Sequence, residues 1–207
     1  MRSRGAHASV VATLLLAAAP ALAQDVPPAV PAAPKPADPA QPETRHRAEQ
    51  RLNLLFERLR EAPDAQNARG IANEIEQILE RSGSPTADLV YQRAKEAVGA
   101  KDLDLALDLL DFVLAMKPDW AEAHHRRAVV HFLRKDEEAA LRDVRAALAL
   151  EPRHYQALAG LGGLLRGMGN RKGAYRAFTR ALEIYPHFPD LKGSLDKMRP
   201  EIEGQPI

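Results

Sequence analysis

The sequence predicts an all-α fold built from repeated helical pairs, and two observations support this prediction. Ala and Leu supply most of the apolar side chains, which make up 45% of the 207 residues, and both residues favour helix over sheet. Three positions also repeat every 34 residues. One holds proline (Pro118, Pro152, Pro186), one holds alanine (Ala106, Ala140, Ala174), and one holds a residue suited to cap a helix (Asp102, Asp136, Asn170). A fixed period of this length is typical of a solenoid of helix-turn-helix units, here predicted over 87–120, 121–154 and 155–188.

The residues before the first repeat predict a helical hairpin over 44–86. Leu52, Leu55, Phe56 and Leu59 follow the i, i+3, i+4, i+7 spacing of an amphipathic helix. Pro63 and Asp64 interrupt it, and Asp64 is suited to cap a second helix, which is expected to end near Gly83 and Pro85. Without the full repeat pattern, the hairpin is interpreted as a degenerate repeat or an N-terminal cap.

The period and its placed residues resemble the tetratricopeptide repeat (TPR). Small residues occupy its eighth position (Ala94, Ala128, Gly162) and its twentieth (Ala106, Ala140, Ala174), and proline closes each unit. The resemblance implies a right-handed α-solenoid whose first and last helices act as caps. Leu191, Leu195 and Met198 lie at helical spacing and predict the C-terminal capping helix within 189–199. A looser likeness to exported bacterial repeat proteins, at Glu151 to Gly162, implies no reaction.

The N-terminus has the layout of a secretory signal sequence. Arg2 and Arg4 precede an apolar run over 10–19, and Ala21 and Ala23 stand where a signal peptidase reads small residues. The run is shorter than the roughly 20 residues that a membrane-spanning helix needs. The sequence therefore predicts a signal peptide over 1–23, cleavage after Ala23, a periplasmic or secreted protein, and no stable membrane insertion.

A proline-rich linker is predicted over 24–43. Seven of these twenty residues are proline, and most others are alanine. Proline fixes φ and removes a backbone donor, so the segment is expected to be extended. It is interpreted as a disordered lead-in, with a spacer or a ligand for a proline-binding groove as the alternative.

Charge and cysteine content exclude several classes of function. The chain carries 29 basic and 28 acidic side chains. Removal of Arg2 and Arg4 with the signal sequence gives a net charge of 27 minus 28, or −1. A nearly neutral chain lacks the excess of positive charge that binds nucleic acid. The absence of cysteine excludes a lipoprotein anchor, thiol chemistry, iron–sulfur clusters and Cys-ligated zinc.

No motif predicts catalysis, a metal or a cofactor. His124 and His131 share a helix face but lack the i, i+4 pairing of a helical zinc site, so they are interpreted as packed, hydrogen-bonded side chains. A metal-dependent activity around them is only a distant alternative. The glycines from Gly160 to Gly169 follow no strand and precede no Gly-Lys-Ser/Thr, which argues against a phosphate loop. The protein is predicted not to be an enzyme.

The resemblance implies a groove lined by the first helix of each repeat. Its second, fifth, ninth, twelfth and thirteenth positions give the predicted partner-binding residues: Tyr91, Lys95, Glu122, His125, Val129, Phe132, Leu133, Gln156 and Arg166. Such a surface suits a peptide or protein segment with apolar anchors and some acidic character. The cations that clamp a chaperone's C-terminal carboxylate in some TPR domains are missing, with Gln156 and Gly160 in their places. The alternatives are contact with the first helix pair, or self-association as a subunit of an envelope assembly or secretion complex.

Overall fold

The computed structural model describes residues 42–204, and within this range it contains nine α-helices and no strand. The predicted signal sequence, its cleavage site and nearly all of the proline-rich linker lie outside the described residues. No helix in the described range is long and apolar enough to cross a bilayer. The helices are α1 (Pro42–Arg60), α2 (Ala65–Leu79), α3 (Pro85–Gly99), α4 (Leu103–Met116), α5 (Ala121–Leu133), α6 (Glu137–Leu150), α7 (Tyr155–Gly167), α8 (Arg171–Ile184) and α9 (Leu191–Glu203).

Helices α3 to α8 form three helical pairs, which confirms the predicted all-α repeat fold. In each pair the first helix (α3, α5 or α7, the A helices) packs on the second (α4, α6 or α8, the B helices). The predicted N-caps of the B helices are confirmed: the side chains of Asp102, Asp136 and Asn170 accept the backbone N–H of Leu105, Ala139 and Gly173 at 3.1, 3.0 and 2.9 Å. Each cap satisfies a donor that the first helical turn leaves free.

The turn from each A helix to its B helix contains one residue in the left-handed region. These residues are Lys101, Lys135 and Gly169, with φ of 62°, 64° and 78°. They are spaced 34 residues apart, so the backbone conformation of the turn repeats with the sequence. A lysine in this region costs about 1–2 kcal/mol relative to the right-handed conformation. The sequence indicated this feature only at Gly169.

The third repeat brings its two helices especially close together. A Cβ atom added to Gly162 of α7 would lie 2.3 Å from a ring carbon of Phe178 on α8. Phe178 is buried within the core of that repeat, so its ring has little room to move. The glycine at the eighth position therefore makes space for a phenylalanine on the facing helix.

Helices α1 and α2 pack against each other as a hairpin, but α2 does not pack on α3 as each B helix packs on the next A helix. Leu52, Leu55, Phe56 and Leu59 are buried against α2, and Asp64 caps α2 by accepting two backbone N–H groups. Instead of contacting the first repeat alone, the hairpin is bonded to residues just before α5, at the start of α7 and after α8. These hydrogen bonds join Leu79 to Trp120, Ala72 to Tyr155, and Ala62, just before α2, to His187.

The C-terminal helix packs on α8 through Leu191, Leu195 and Met198, the three apolar residues identified in the sequence. The predicted end of this helix at Arg199 is wrong, because α9 continues to Glu203 with Pro200 inside it. Proline cannot donate to the carbonyl one turn earlier. Near the end of a helix this removes a single bond, and the last turn retains its helical conformation.

Candidate partner-binding site

The structure divides the predicted groove residues into two groups. Tyr91, Lys95, Glu122, His125 and Gln156 lie in a buried polar cluster or against the N-terminal hairpin. Val129, Phe132, Leu133 and Arg166 lie towards the C-terminal ends of α5 and α7, where Phe132 and Leu133 are about half exposed. The first group of predicted groove residues is thus engaged within the chain itself, whereas most of the second group is exposed.

The buried cluster is centred on the carboxylate of Glu122 at the start of α5. Its Oε1 accepts hydrogen bonds from the hydroxyl of Tyr91 at 2.7 Å and from the guanidinium of Arg126 at 2.9 Å. Its Oε2 lies 2.9 Å from Nε2 of His154 and 3.4 Å from Nδ1 of His125. Glu122, His125 and His154 are all buried. The cluster joins α3, α5 and the start of α7, so it links all three repeats.

The hydrogen bonds of His154 determine its tautomer. Its Nδ1 accepts the backbone N–H of Ala157 at 3.4 Å, which caps α7. The neutral ring therefore carries its hydrogen on Nε2 and donates it to Glu122. The ring of His125 lies beside it, with 4.5 Å between the two ring centroids. Nδ1 of His125 lies 3.4 Å from Oε2 of Glu122, but no group of the described chain meets it in hydrogen-bond geometry.

Burial and neighbouring charges shift the pKa values in this cluster. Burial alone would raise the pKa of Glu122, but the adjacent imidazoles of His125 and His154 outweigh it and hold the pKa well below its usual 4.5. Burial lowers the pKa of His125 from its usual 6.5, and the charges of His154 and Arg126 add to this shift against the opposing effect of Glu122. Burial, followed by the charge of Glu122, raises the pKa of Tyr91. At neutral pH the cluster therefore contains an ionised Glu122, a charged Arg126 and a neutral His125.

In the described range, one group of potential metal-ligating side chains lies close together: Glu122, His125 and His154. One ligand atom of each lies within 4.8 Å of the others. However, Oε1 of Glu122 is already bonded to Tyr91 and Arg126, and Nε2 of His154 carries a hydrogen. The bonding fits a buried, charge-balanced hydrogen-bond cluster, in which the positive charge of Arg126 opposes a second cation.

The two histidines of the distant metal alternative, His124 and His131, face a different carboxylate. Nδ1 of His124 and Nε2 of His131 lie 3.6 and 3.7 Å from the carboxylate of Asp143 on α6. Arg127 binds the same carboxylate with two hydrogen bonds of 2.7 Å. Burial opposes ionisation of Asp143, but the hydrogen bonds from Arg127 and the neighbouring imidazole of His124 lower its pKa to about 2. Asp143 thus binds α5 to α6 within the second repeat.

The C-terminal part of α2 and the residue after it make polar contacts with α3 and α7. Lys95 Nζ lies 2.5 Å from the carboxylate of Glu80, the residue that follows α2. Gln156 donates to Glu76 Oε1 at 2.9 Å, and the hydroxyl of Tyr155 donates to the same oxygen at 3.0 Å. Two of the predicted groove residues, Lys95 and Gln156, therefore bind the chain's own hairpin, which was one of the alternatives left open by the sequence.

The second group of predicted groove residues is mostly exposed and combines apolar side chains with a cation. Phe132 and Leu133 are 52% and 50% exposed at the end of α5, and Val129 one turn earlier is half-buried. Arg166 on α7 is exposed, and its guanidinium carbon lies 5.7 Å from the ring centroid of Phe178. This surface has adjacent apolar side chains on one A helix and a cation on another.

Sequence reasoning missed three residues that shape this site. Trp120 precedes α5, and its indole N–H donates to the carbonyl of Leu79 at 2.7 Å. His154 both caps α7 and binds Glu122. Glu76 receives two hydrogen bonds from the start of the third repeat. Trp120 and His154 lie two residues after repeat prolines, Pro118 and Pro152, and this shared position was the available signal.

No protein-family model matches the chain. A TPR repeat-containing protein of Rhizobium etli is 40% identical over 137 residues, which cover 66% of this chain and 67% of that protein. Two solved structures show the same fold at low identity. The first TPR of Spaghetti (RPAP3), bound to the HSP90 peptide SRMEEVD, has a TM-score of 0.54 and 19% identity over 57% of this chain and 94% of its own.

The second solved structure is the Sgt2 TPR domain from Aspergillus fumigatus, with a TM-score of 0.53 and 23% identity over 58% of this chain and 81% of its own. These similarities agree with the 34-residue period, the capped B helices and the small residues between paired helices. The chain belongs to the family of tetratricopeptide-repeat proteins.

Proposed function

We propose that this protein is a non-catalytic adaptor or scaffold that holds a segment of a partner protein on its A helices. The TPR fold supports a protein-interaction module, since one solved neighbour is bound to a peptide. The buried carboxylate and histidines of this chain are engaged with one another, and no serine nucleophile accompanies them. The cluster therefore stabilises the fold that displays the binding surface.

The exposure of Phe132 and Leu133 is the observation that carries this proposal. Their neighbours on the same A-helix face, Glu122 and His125, are buried, whereas these two apolar side chains are about half exposed. Exposed aromatic and aliphatic residues that adjoin each other on a rigid helix are typical anchors for a partner. Arg166 on the next A helix adds a cation, which favours a partner segment with acidic residues near its apolar anchor.

We further propose that the protein works outside the cytoplasm, in the bacterial periplasm or as a secreted protein. The support is the basic start, short apolar run and Ala21–Ala23 site at the N-terminus, together with a chain that contains no cysteine. Fractionation and N-terminal sequencing of the mature chain test this proposal. A mature start at Gln24 in the periplasmic or secreted fraction is expected, and an uncleaved cytoplasmic chain would contradict it.

Site-specific photocrosslinking in living cells tests the binding surface. A photoreactive phenylalanine analogue at position 132 is expected to give a discrete crosslinked product with an envelope protein. The same analogue at Phe112 on α4, which is 54% exposed, is the matched control because it lies on a B helix outside the groove. A variant that carries the analogue at position 132 together with Leu133→Ser should no longer give this crosslinked product. Identical crosslinking at both positions would overturn the assignment of this surface.

Self-association is the second candidate, and the outer surface of the B helices favours it. Leu105, Asp108 and Phe112 line one exposed face of α4. A cavity of about 570 Å³ between α6, α7 and α8 has an apolar floor and three exposed arginines, Arg145, Arg176 and Arg180. The two apolar side chains and the carboxylate of this face would meet the apolar floor and the arginines of the cavity in another copy. Light scattering over a range of concentrations tests this candidate, and a monomer at every concentration would exclude it.

A further inference from the structure

The cavity of about 570 Å³ between α6, α7 and α8 is lined by none of the predicted groove residues. Its floor is the face of α7 that carries Leu158, Leu161 and Leu165, at the i, i+3, i+7 spacing of one helical face. Leu158 is buried, and the other two leucines are half-buried. Sites for small molecules commonly enclose about 300–1,000 Å³ and are lined mainly by apolar side chains. The size and floor of this cavity, which we call the α6–α8 cavity, therefore suit a small molecule.

Three arginines line the same cavity: Arg145 from α6, and Arg176 and Arg180, one turn apart, from α8. All three are exposed, and none forms an ion pair or a side-chain hydrogen bond within the described part of the chain. Their like charges repel one another. Arginine binds carboxylate and phosphate groups through two parallel N–H···O bonds. The rim of the α6–α8 cavity is thus suited to the anionic group of a ligand.

The second repeat shows how the chain can neutralise the same place with its own side chains. There the helices that correspond to α6, α7 and α8 are α4, α5 and α6. Arg127 on α5 binds the carboxylate of Asp111 on α4 at 2.7 Å and that of Asp143 on α6 through two bonds of 2.7 Å. His124 and His131, on the same face of α5, lie 3.6 and 3.7 Å from Asp143. In this repeat the chain supplies both the cation and its counterions.

The third repeat replaces every member of that cluster. Thirty-four residues later, each replacement is apolar or cationic and none is acidic: Leu158 for His124, Leu161 for Arg127, Leu165 for His131, Ala177 for Asp143 and Arg145 for Asp111. An alanine in place of an aspartate removes both volume and negative charge, and an arginine in place of an aspartate reverses the charge at the rim. The α6–α8 cavity therefore has cations whose counterion the chain does not provide.

We propose that the α6–α8 cavity binds a small amphiphilic anion, with its phosphate or carboxylate group among the three arginines and its apolar chain along the leucines of α7. A free molecule fits both parts of the site. A lipid within a bilayer fits only the arginines, because its acyl chains stay in the membrane and do not cover the leucines. Neither Phe132 nor Leu133 lines the cavity, so this site goes beyond the proposed function and does not depend on it.

Calorimetric titration of the full chain with octyl phosphate tests the site. This probe is a free anion with one apolar chain, and it is used below the concentration at which it forms micelles. Saturable binding of about one molecule per chain is expected. Inorganic phosphate has the charge without the chain, and octanol has the chain without the charge. Each is expected to bind at least about tenfold more weakly than octyl phosphate does.

The variant Arg176→Ala/Arg180→Ala removes two guanidinium groups from the rim and leaves the core unchanged. It is expected to weaken the binding of octyl phosphate by about tenfold or more. The matched control is Arg93→Ala/Arg142→Ala, which removes the same charge from two exposed residues of α3 and α6 that do not line the cavity. The control should bind octyl phosphate as the wild type does.

A second variant, Leu161→Arg/Ala177→Asp, gives the third repeat the arginine and the aspartate that the second repeat has at Arg127 and Asp143. The new pair occupies the cavity and provides its own counterion, so the binding of octyl phosphate should be lost. If this variant fails to fold, the arginine-to-alanine variant still decides the outcome, because its changes lie on the surface.

Absence of saturable binding by the wild type would overturn the inference, and so would equal affinity of the wild type and the Arg176→Ala/Arg180→Ala variant. Binding of phosphatidylglycerol vesicles without binding of free octyl phosphate would also overturn it, in favour of a membrane contact. A dimer that light scattering detects in the wild type but not in that variant, with no octyl phosphate bound, would show that a second copy occupies the cavity instead. The crosslink at position 132 tests the proposed function separately, so either proposal can fail without the other.

Discussion

His154, the N-cap of α7, donates a hydrogen bond of 2.9 Å from Nε2 to the carboxylate of Glu122 on α5, and this bond joins the start of the third repeat's first helix to the second repeat. The same carboxylate reaches the first repeat through Tyr91. One buried side chain thus connects the three units of the solenoid. Buried carboxylates are stable in proteins only when charge and hydrogen bonds compensate their loss of water, and here Arg126 supplies the charge.

Glu122→Gln should reduce stability substantially. The amide preserves the shape of the side chain but removes the negative charge, and it leaves the buried guanidinium of Arg126 without its closest anion. Breaking one partner of a buried pair costs about 3 kcal/mol. Urea unfolding followed by circular dichroism would measure this loss. The control Glu138→Gln, at an exposed residue of α6, should change the free energy of unfolding by less than about 0.5 kcal/mol, and equal effects of the two changes would refute the role of Glu122.

Mild acid should destabilise the protein through His125. Its pKa in the folded chain is depressed below the usual 6.5, so the unfolded chain takes up a proton first as the pH falls. The stabilisation is therefore complete above about pH 6.5 and is lost as the pH falls towards the folded pKa. His125→Gln removes this titration. Between about pH 7.5 and about pH 5.5, the wild type should lose more free energy of unfolding than the variant does, and parallel pH profiles would contradict this.

Two neighbouring glycines of α7 should respond in opposite ways to alanine. Gly162→Ala places a methyl group 2.3 Å from the ring of Phe178, and overpacking of this kind costs about 1–3 kcal/mol. Gly163→Ala meets nothing within 4 Å, and replacing a helical glycine by alanine gains about 0.5–1 kcal/mol. Thermal unfolding of the two variants gives the comparison. A stabilising Gly162→Ala would show that the two helices can separate at no cost.

The sequence predicted the features of the fold that depend on local chemistry. The caps at Asp102, Asp136 and Asn170 were identified because a capping side chain bonds to an amide only three residues away. The buried stripe of α1 was identified because a helical face repeats along the chain. The left-handed turn at Lys101 and Lys135 was missed because lysine carries no signal for that conformation, whereas the glycine of the third repeat does.

The candidate site was less predictable, because its defining contacts are distant in sequence. Tyr155 lies 83 residues from Ala72, and His187 lies 125 residues from Ala62. No local rule specifies that the hairpin bonds to residues so distant in the chain, so groove positions taken from the family's pattern included Lys95 and Gln156, which bond to the hairpin. Phe132 and Leu133 remain exposed because they lie beyond the contacts that α2 makes.

The long-range contacts of the hairpin also bear on how the protein folds and unfolds. A solenoid whose repeats touch only their neighbours can fray from either end, one unit at a time. Here a segment that precedes the first repeat is bonded at Ala62 to His187, at the end of the third repeat. This contact can form only after the whole array has been made, and closing so long a loop is slow compared with folding of the individual helical pairs. Once formed, it ties the two ends of the array together, so that loss of the last repeat also removes the hairpin's bonds to Tyr155 and His187.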